Sequence, residues 1–120
     1  MKWIKLDIEG CLSGSIRFDL TPAERSVWYE LLLLAGKSRA LGVIQASEGI
    51  AYPLSFIAHQ LRISKSLLAS TLEKCEKEGR LAMDDTGIHI TNWSRYQSEY
   101  DRQKVYRQNK AKGELDAKPF

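Results

Sequence analysis

Between residues 53 and 79 the chain carries two helical patterns separated only by Arg62 and Ile63. Pro53 opens the first, which runs through Leu61 and turns Phe56, Ile57 and Leu61 inward. Ser64 caps the second, which extends to about Glu78 and stops at Gly79, a residue suited to a left-handed helix end. Leu68, Leu72 and Cys75 form its buried stripe, with Leu67 beside it. Ser66, Ser70, Glu73, Lys74 and Lys77 lie opposite. So short a joint has the spacing of a helix-turn-helix. After Gly79 the period drops to two, with Leu81 and Met83, then Ile88 and Ile90, flanking Asp84-Asp85-Thr86-Gly87. That is a β-hairpin with a polar, glycine-containing turn.

Upstream, Thr21-Pro-Ala-Glu24 is a capping box. The hydroxyl and the carboxylate each accept an otherwise orphaned backbone N–H, and proline loses no helical bond at that position. The helix it starts is expected to reach Ala35, with Gly36 as its stop. Val27, Trp28, Leu31, Leu32, Leu34 and Ala35 share a broad apolar face, while Tyr29 and Leu33 fall on the other side. Gly42–Gln45 reads as a short strand. Residues 4–8 and 16–20 alternate apolar and polar, so both read as strands, with a turn at Gly10 and Gly14 between them. Residues 94–112 read as a last helix rich in Arg, Lys, Gln and Tyr.

Helix, strand, short helix, tight turn, helix and hairpin is the order of a winged helix-turn-helix, whose third helix enters the major groove while the hairpin touches the backbone or minor groove. The expected class is α+β, mostly helical, with a small antiparallel hairpin wing and a basic C-terminal helix. The expected layout is a winged-helix domain over 1–93, the basic helix over 94–112 and a tail over 113–120. With 120 residues and 43% hydrophobic content, one core is what the chain can build.

No apolar run approaches the ~20 residues of a membrane span, and MKWIKLDIEG lacks the apolar block of a signal peptide, so a cytoplasmic protein without a membrane partner is expected. Cys11 and Cys75 make neither a disulfide framework nor a zinc quartet, and His59 and His89 have no ligand spacing to them. No Ser/His/Asp or Cys/His arrangement and no phosphate-binding glycine loop is apparent. The expectation is a non-enzyme without cofactor or metal. Trp3, Trp28 and Trp93 are assigned to the core, Trp93 over the base of the hairpin. Cys75 is a small core residue, and Asp84-Asp85 belongs to a tight turn.

The net charge of +3 is unevenly spread. Residues 1–61 hold six basic and six acidic side chains, and residues 62–112 hold eleven and seven. An excess of +4 in the second half suits an anionic partner. The DNA-contact candidates are Lys65, Ser66, Ser70, Lys74 and Lys77 on the third helix and Arg80 at the wing. Arg95, Arg102, Lys104, Arg107 and Lys110 follow on the last helix. The plain alternative is a solvated helix face, which Glu73 favours. Without Arg, Asn or Gln at the groove-facing positions, bidentate base readout has little support. In the last helix Tyr96, Tyr100 and Tyr106 interleave with the basic residues, a pattern that serves stacking on bases or docking on the domain. Tyr29 and Leu33 are candidates for an interface between copies of the chain.

The residues also carry a family likeness. Trp3-Ile-Lys-Leu-Asp-Ile8, Tyr52-Pro53 leading into Phe56-Ile-Ala58, Leu72 to Gly79, and Gly87-Ile-His-Ile-Thr-Asn-Trp93 with Tyr96-Gln97 resemble the N-terminal domain of phage replisome organisers, related to the DnaD-type primosome proteins of bacteria. The likeness spans about residues 1–110. Its most specific pieces are the opening Trp-Ile-Lys-Leu-Asp and the Asn-Trp-x-x-Tyr-Gln after the wing. It departs at residues 9–20, where many members carry helix. The resemblance implies a winged helix that binds DNA or self-associates during replication initiation, with replication proteins such as a helicase loader as further partners. Many members continue into a second domain. A transcriptional regulator of the same fold and an oligomerisation scaffold that never touches DNA are the rival readings, since fold does not fix function.

Overall fold

The computed structural model describes residues 1–97. Its elements are α1 (Ile8–Ser13), α2 (Ser15–Asp19), α3 (Pro22–Lys37), β1 (Val43–Ile44), α4 (Leu54–Leu61), α5 (Lys65–Lys77), β2 (Leu81–Asp84), β3 (Gly87–Ile90) and α6 (Trp93–Gln97). The strands form one antiparallel sheet in the order β1-β3-β2. From α3 to β3 this is the winged-helix-like order, and the class is α+β as expected.

Local chemistry accounts for the main boundaries. Both arms of the capping box are made: Thr21 N–H donates to Glu24 Oε1 at 2.8 Å and Glu24 N–H to Thr21 Oγ1 at 3.2 Å. Ser64 Oγ accepts the Leu67 amide at 3.1 Å to start α5. At the joint, Arg62 takes a left-handed conformation (φ 57°) and its amide closes the last turn of α4. In the hairpin turn Asp84 accepts from the Thr86 amide and hydroxyl and lies 3.1 Å from His89 Nε2. The Thr86 hydroxyl and amide, ahead of His89, hold the Asp84 carboxyl down to about 2.

The core lies where α3 and α5 cross above the sheet. Val27, Trp28, Leu31, Leu32 and Ala35 meet Leu68, Leu72, Cys75, Leu81, Ile88 and Ile90, all buried. Trp93 closes the edge of this core, 9% exposed. It rests against two glycines. A Cβ at Gly36 would lie 3.6 Å from Trp93 Cη2 and 3.0 Å from Ile4 Cγ2, and one at Gly42 (φ +87°) would lie 2.6 Å from Trp93 Cγ. Gly36 is therefore a close-packing position, not the helix stop expected of it. The helix continues through Lys37, and the Ser38 amide bonds back to Leu34 O.

The first twenty residues differ from the expected strands. Residues 1–7 have no regular secondary structure. The backbone groups that a strand would offer to a neighbour are taken at Lys5 by one side chain: Lys5 N–H donates to Gln97 Oε1 at 2.7 Å, and Gln97 Nε2 donates to Lys5 O at 2.9 Å. Residues 16–20 are not a strand either, because α2 turns Ile16 fully inward while Phe18 stays 77% exposed. Helices thus occupy residues 8–19, as in the many family members that carry helix there.

Two other core assignments change. Trp3 is 74% exposed, while Ile4 beside it packs half-buried against Gly36. Phe56 is 45% exposed and stacks on Tyr52, with ring centroids 4.6 Å apart, while Ile57 and Ala58 supply the inward face of α4. Of the helix expected over 94–112, residues up to Gln97 belong to α6, and 98–112 lie outside the described residues.

Candidate nucleic-acid interface

An α5 that lies across α3 and α4 has one edge turned outward. Lys65, Ser66, Ala69, Glu73, Glu76 and Lys77 are the exposed positions along it. Two cations and two carboxylates balance, so this edge has no net charge. Ser66 Oγ lies 3.2 Å from Ser64 Oγ, and Glu76 Oε2 accepts the Met83 amide at 3.2 Å, which ties the wing to α5. The wing tip adds Asp84 and Asp85, both exposed.

Two of the candidates on α5 have another task. Ser70 Oγ donates to Glu24 Oε2 at 3.0 Å, and Lys74 Nζ donates to Glu24 Oε1 at 2.7 Å. Glu24 is only 3% exposed. Burial alone would push its carboxyl up. The Lys74 ammonium, the Thr21 amide and the Ser70 and Thr21 hydroxyls override that and hold it down to about 2. One carboxylate thus completes the cap of α3 and clamps α3 to α5. The groove-facing assignment of Ser70 and Lys74 is corrected accordingly. They lie toward the α3 side of the helix, a shift of one wheel position that the helical period alone does not resolve.

Arg80 is the larger correction. It is fully buried, donates through Nη2 to Ser15 Oγ and stands 3.6 Å from Asp19 Oδ2. Its Nε and Nη1 have no hydrogen-bond partner among the described residues. A guanidinium enclosed by α2 in this way cannot meet a phosphate. Its neighbour Cys75 is driven up to about 11 by burial, against the lowering effect of Arg80, so the thiol is protonated at neutral pH. A charged residue next to a glycine turn reads as surface in the sequence. The only signal against that was the acidic Asp19, 61 positions earlier.

Of the remaining candidates, Arg95 is half-buried and already engaged. Arg102, Lys104, Arg107 and Lys110, with Tyr100 and Tyr106, lie outside the described residues. Tyr96 packs against the core. Tyr29 is half-buried against the core and Leu33, one turn further along α3, is 56% exposed. Among the described residues no helix is long and apolar enough to cross a membrane, and no three His, Cys, Asp or Glu gather as a metal site requires.

A compact helix-turn-helix backed by a three-stranded sheet defines a winged-helix-like module. The family described as N-terminal phage replisome organiser matches residues 3–116. The chain belongs to that family. No curated protein and no solved structure matches it. The two motifs most specific to the likeness meet in space: Lys5 of the opening motif is gripped by Gln97 of the closing one.

Proposed function

We propose that this domain binds DNA during phage replication initiation, through α5, the 80–92 wing and the basic segment to residue 112, and that it does so without catalysis in the cytoplasm of the host. The observation that carries this reading is the outward edge of α5, presented on a tight joint beside the wing in a replisome-organiser domain. Charge sharpens it. Residues 62–97 hold six basic and five acidic side chains, whereas residues 98–112 hold five and two. The attraction for phosphate therefore rests chiefly on Arg102, Lys104, Arg107 and Lys110, while Lys65, Ser66 and Lys77 orient α5.

A gel shift with salt titration on double- and single-stranded DNA tests it. With about five phosphate contacts, log affinity falls against log salt with a slope of roughly −4 to −5 on duplex. Replacing Arg102, Lys104 and Arg107 together by Ala is expected to flatten that slope by about 2 to 3. An unchanged slope would remove the segment from the interface. Footprints at a replication origin rather than at promoters separate this role from a transcriptional one.

Self-association is a second reading, favoured by the exposure of Leu33 together with Trp3, Ile8, Leu12 and Phe18. Leu33→Asp then gives a folded monomer in sedimentation where the parent chain is larger. A parent that is already monomeric at high concentration ends that reading. A helicase loader is the kind of replication protein such a surface could also meet.

A further inference from the structure

On the side of the domain formed by α3, β1 and α4, two clefts adjoin. One, of about 610 Å³, lies between the C-terminal end of α3, β1, the loop after it and α4. The other, of about 460 Å³, lies along the end of α4 and the helix-turn-helix joint. They share Gln60, so they form one track. Lys37 and Arg39 line its first part and Arg62 its last. All three are exposed, and none has an ion-pair partner among the described residues. Glu48 is the only acid lining either cleft.

Tyr52 lines the same cleft, with one face held by Phe56 at an interplanar angle of 10°. Gln45 and Gln60 add side-chain amides. Arg62 strengthens the case. A left-handed helix end normally takes Gly or Asn, and a side chain there costs about 1 kcal/mol, yet this position holds a long, exposed cation.

Spaced cations, a preset aromatic ring and amides able to meet a base edge are the chemistry that recognises unpaired nucleotides. A duplex, whose bases are stacked inside, cannot use the ring. We propose that this track binds a single strand of nucleic acid, with Lys37, Arg39 and Arg62 on its phosphates and Tyr52 under a base. It is distinct from the α5 edge and does not depend on it.

The experiment uses the full chain and two labelled probes, a 12-nucleotide oligo-dT and a blunt duplex, followed by fluorescence anisotropy across a salt series. Replacing Lys37, Arg39 and Arg62 together by Ala is expected to weaken oligo-dT binding at least tenfold. It should also reduce its salt slope by about 2, as three single-strand phosphate contacts require, and leave duplex binding unchanged. Tyr52→Leu, which keeps an apolar partner for Phe56, is expected to weaken oligo-dT by roughly five- to a hundredfold, the range for loss of one stacked base. Lys65→Ala/Lys77→Ala should do the reverse, lowering duplex affinity only. A parent chain that binds oligo-dT but not the duplex would sink the α5 reading and leave the track standing. Three results overturn the track: no oligo-dT binding by the parent, an unchanged affinity in the triple variant, or an equal loss on both probes. The first would leave the cleft to a peptide.

Discussion

The helix-turn-helix body and the first twenty residues hold similar kinds of side chain and use them in opposite ways. In the body, Trp28, Leu31, Leu32, Leu68 and Leu72 are sealed between helices and sheet. In the arm, Trp3, Ile8, Leu12 and Phe18 stand between 60% and 77% exposed. Cys11, Ile16 and Leu20 anchor its helices in the core, and polar contacts hold the rest. Gln97 takes both backbone groups of Lys5, and Ser15 and Asp19 meet the buried Arg80. Buried apolar area makes a cooperative core, whereas a few hydrogen bonds of about 1 kcal/mol each make an attachment that can be released alone.

The largest effect is expected in the body. Trp93→Ala leaves a cavity over Gly36 and Gly42 and costs about 3–5 kcal/mol, a large share of the ~5–15 kcal/mol typical of a domain. Urea unfolding measures it. A variant that melts like the parent but no longer binds DNA would move Trp93 from structure to contact.

Next comes the clamp between α3 and α5. Glu24→Gln removes charge-assisted bonds to Lys74 and Ser70 and is expected to cost about 1.5–3 kcal/mol. The Glu24 carboxyl is held at about 2 in the folded chain against an ordinary 4.5. Its contribution is therefore complete above pH 4.5 and is lost as the pH falls from there toward 2. The parent should lose stability over that window more steeply than Glu24→Gln. Parallel acid-melting curves would show instead that the carboxylate is not the clamp.

The arm should respond more weakly, and locally. Gln97→Ala is expected to cost about 1–2 kcal/mol. Hydrogen exchange should speed up at residues 3–7 before it does in α5. Uniform acceleration would mean that arm and body unfold as one unit, erasing the contrast drawn above. Smallest of all, Phe18→Ser should change stability by no more than about 0.5 kcal/mol, because its ring is already in water. A larger loss would place Phe18 inside an interface.

Features set by neighbours in the chain were legible in the sequence. The Thr21–Glu24 box, the Ser64 cap and the hairpin around Asp84–Gly87 each state their geometry within four residues. Features set by distant partners were not. A helix-stopping glycine and a glycine that admits a tryptophan look alike in sequence, and only Trp93 packed against Gly36 tells them apart. The alternation at residues 4–8 is that of a strand, but its hydrogen-bonding partner is an amide 92 positions away. Ser70 and Lys74 sit on the polar side of α5 as expected. Only the position of Glu24 shows that these two lie on its α3 margin.

The Lys5–Gln97 pair also makes the described chain almost a closed ring. The point from which the polypeptide continues toward its most basic stretch stands beside its beginning. Anything attached ahead of Met1 would start close to Gln97, at the root of that stretch. A pull on Gln97 would be passed straight to Lys5 through both hydrogen bonds, as well as to Trp93 in the core.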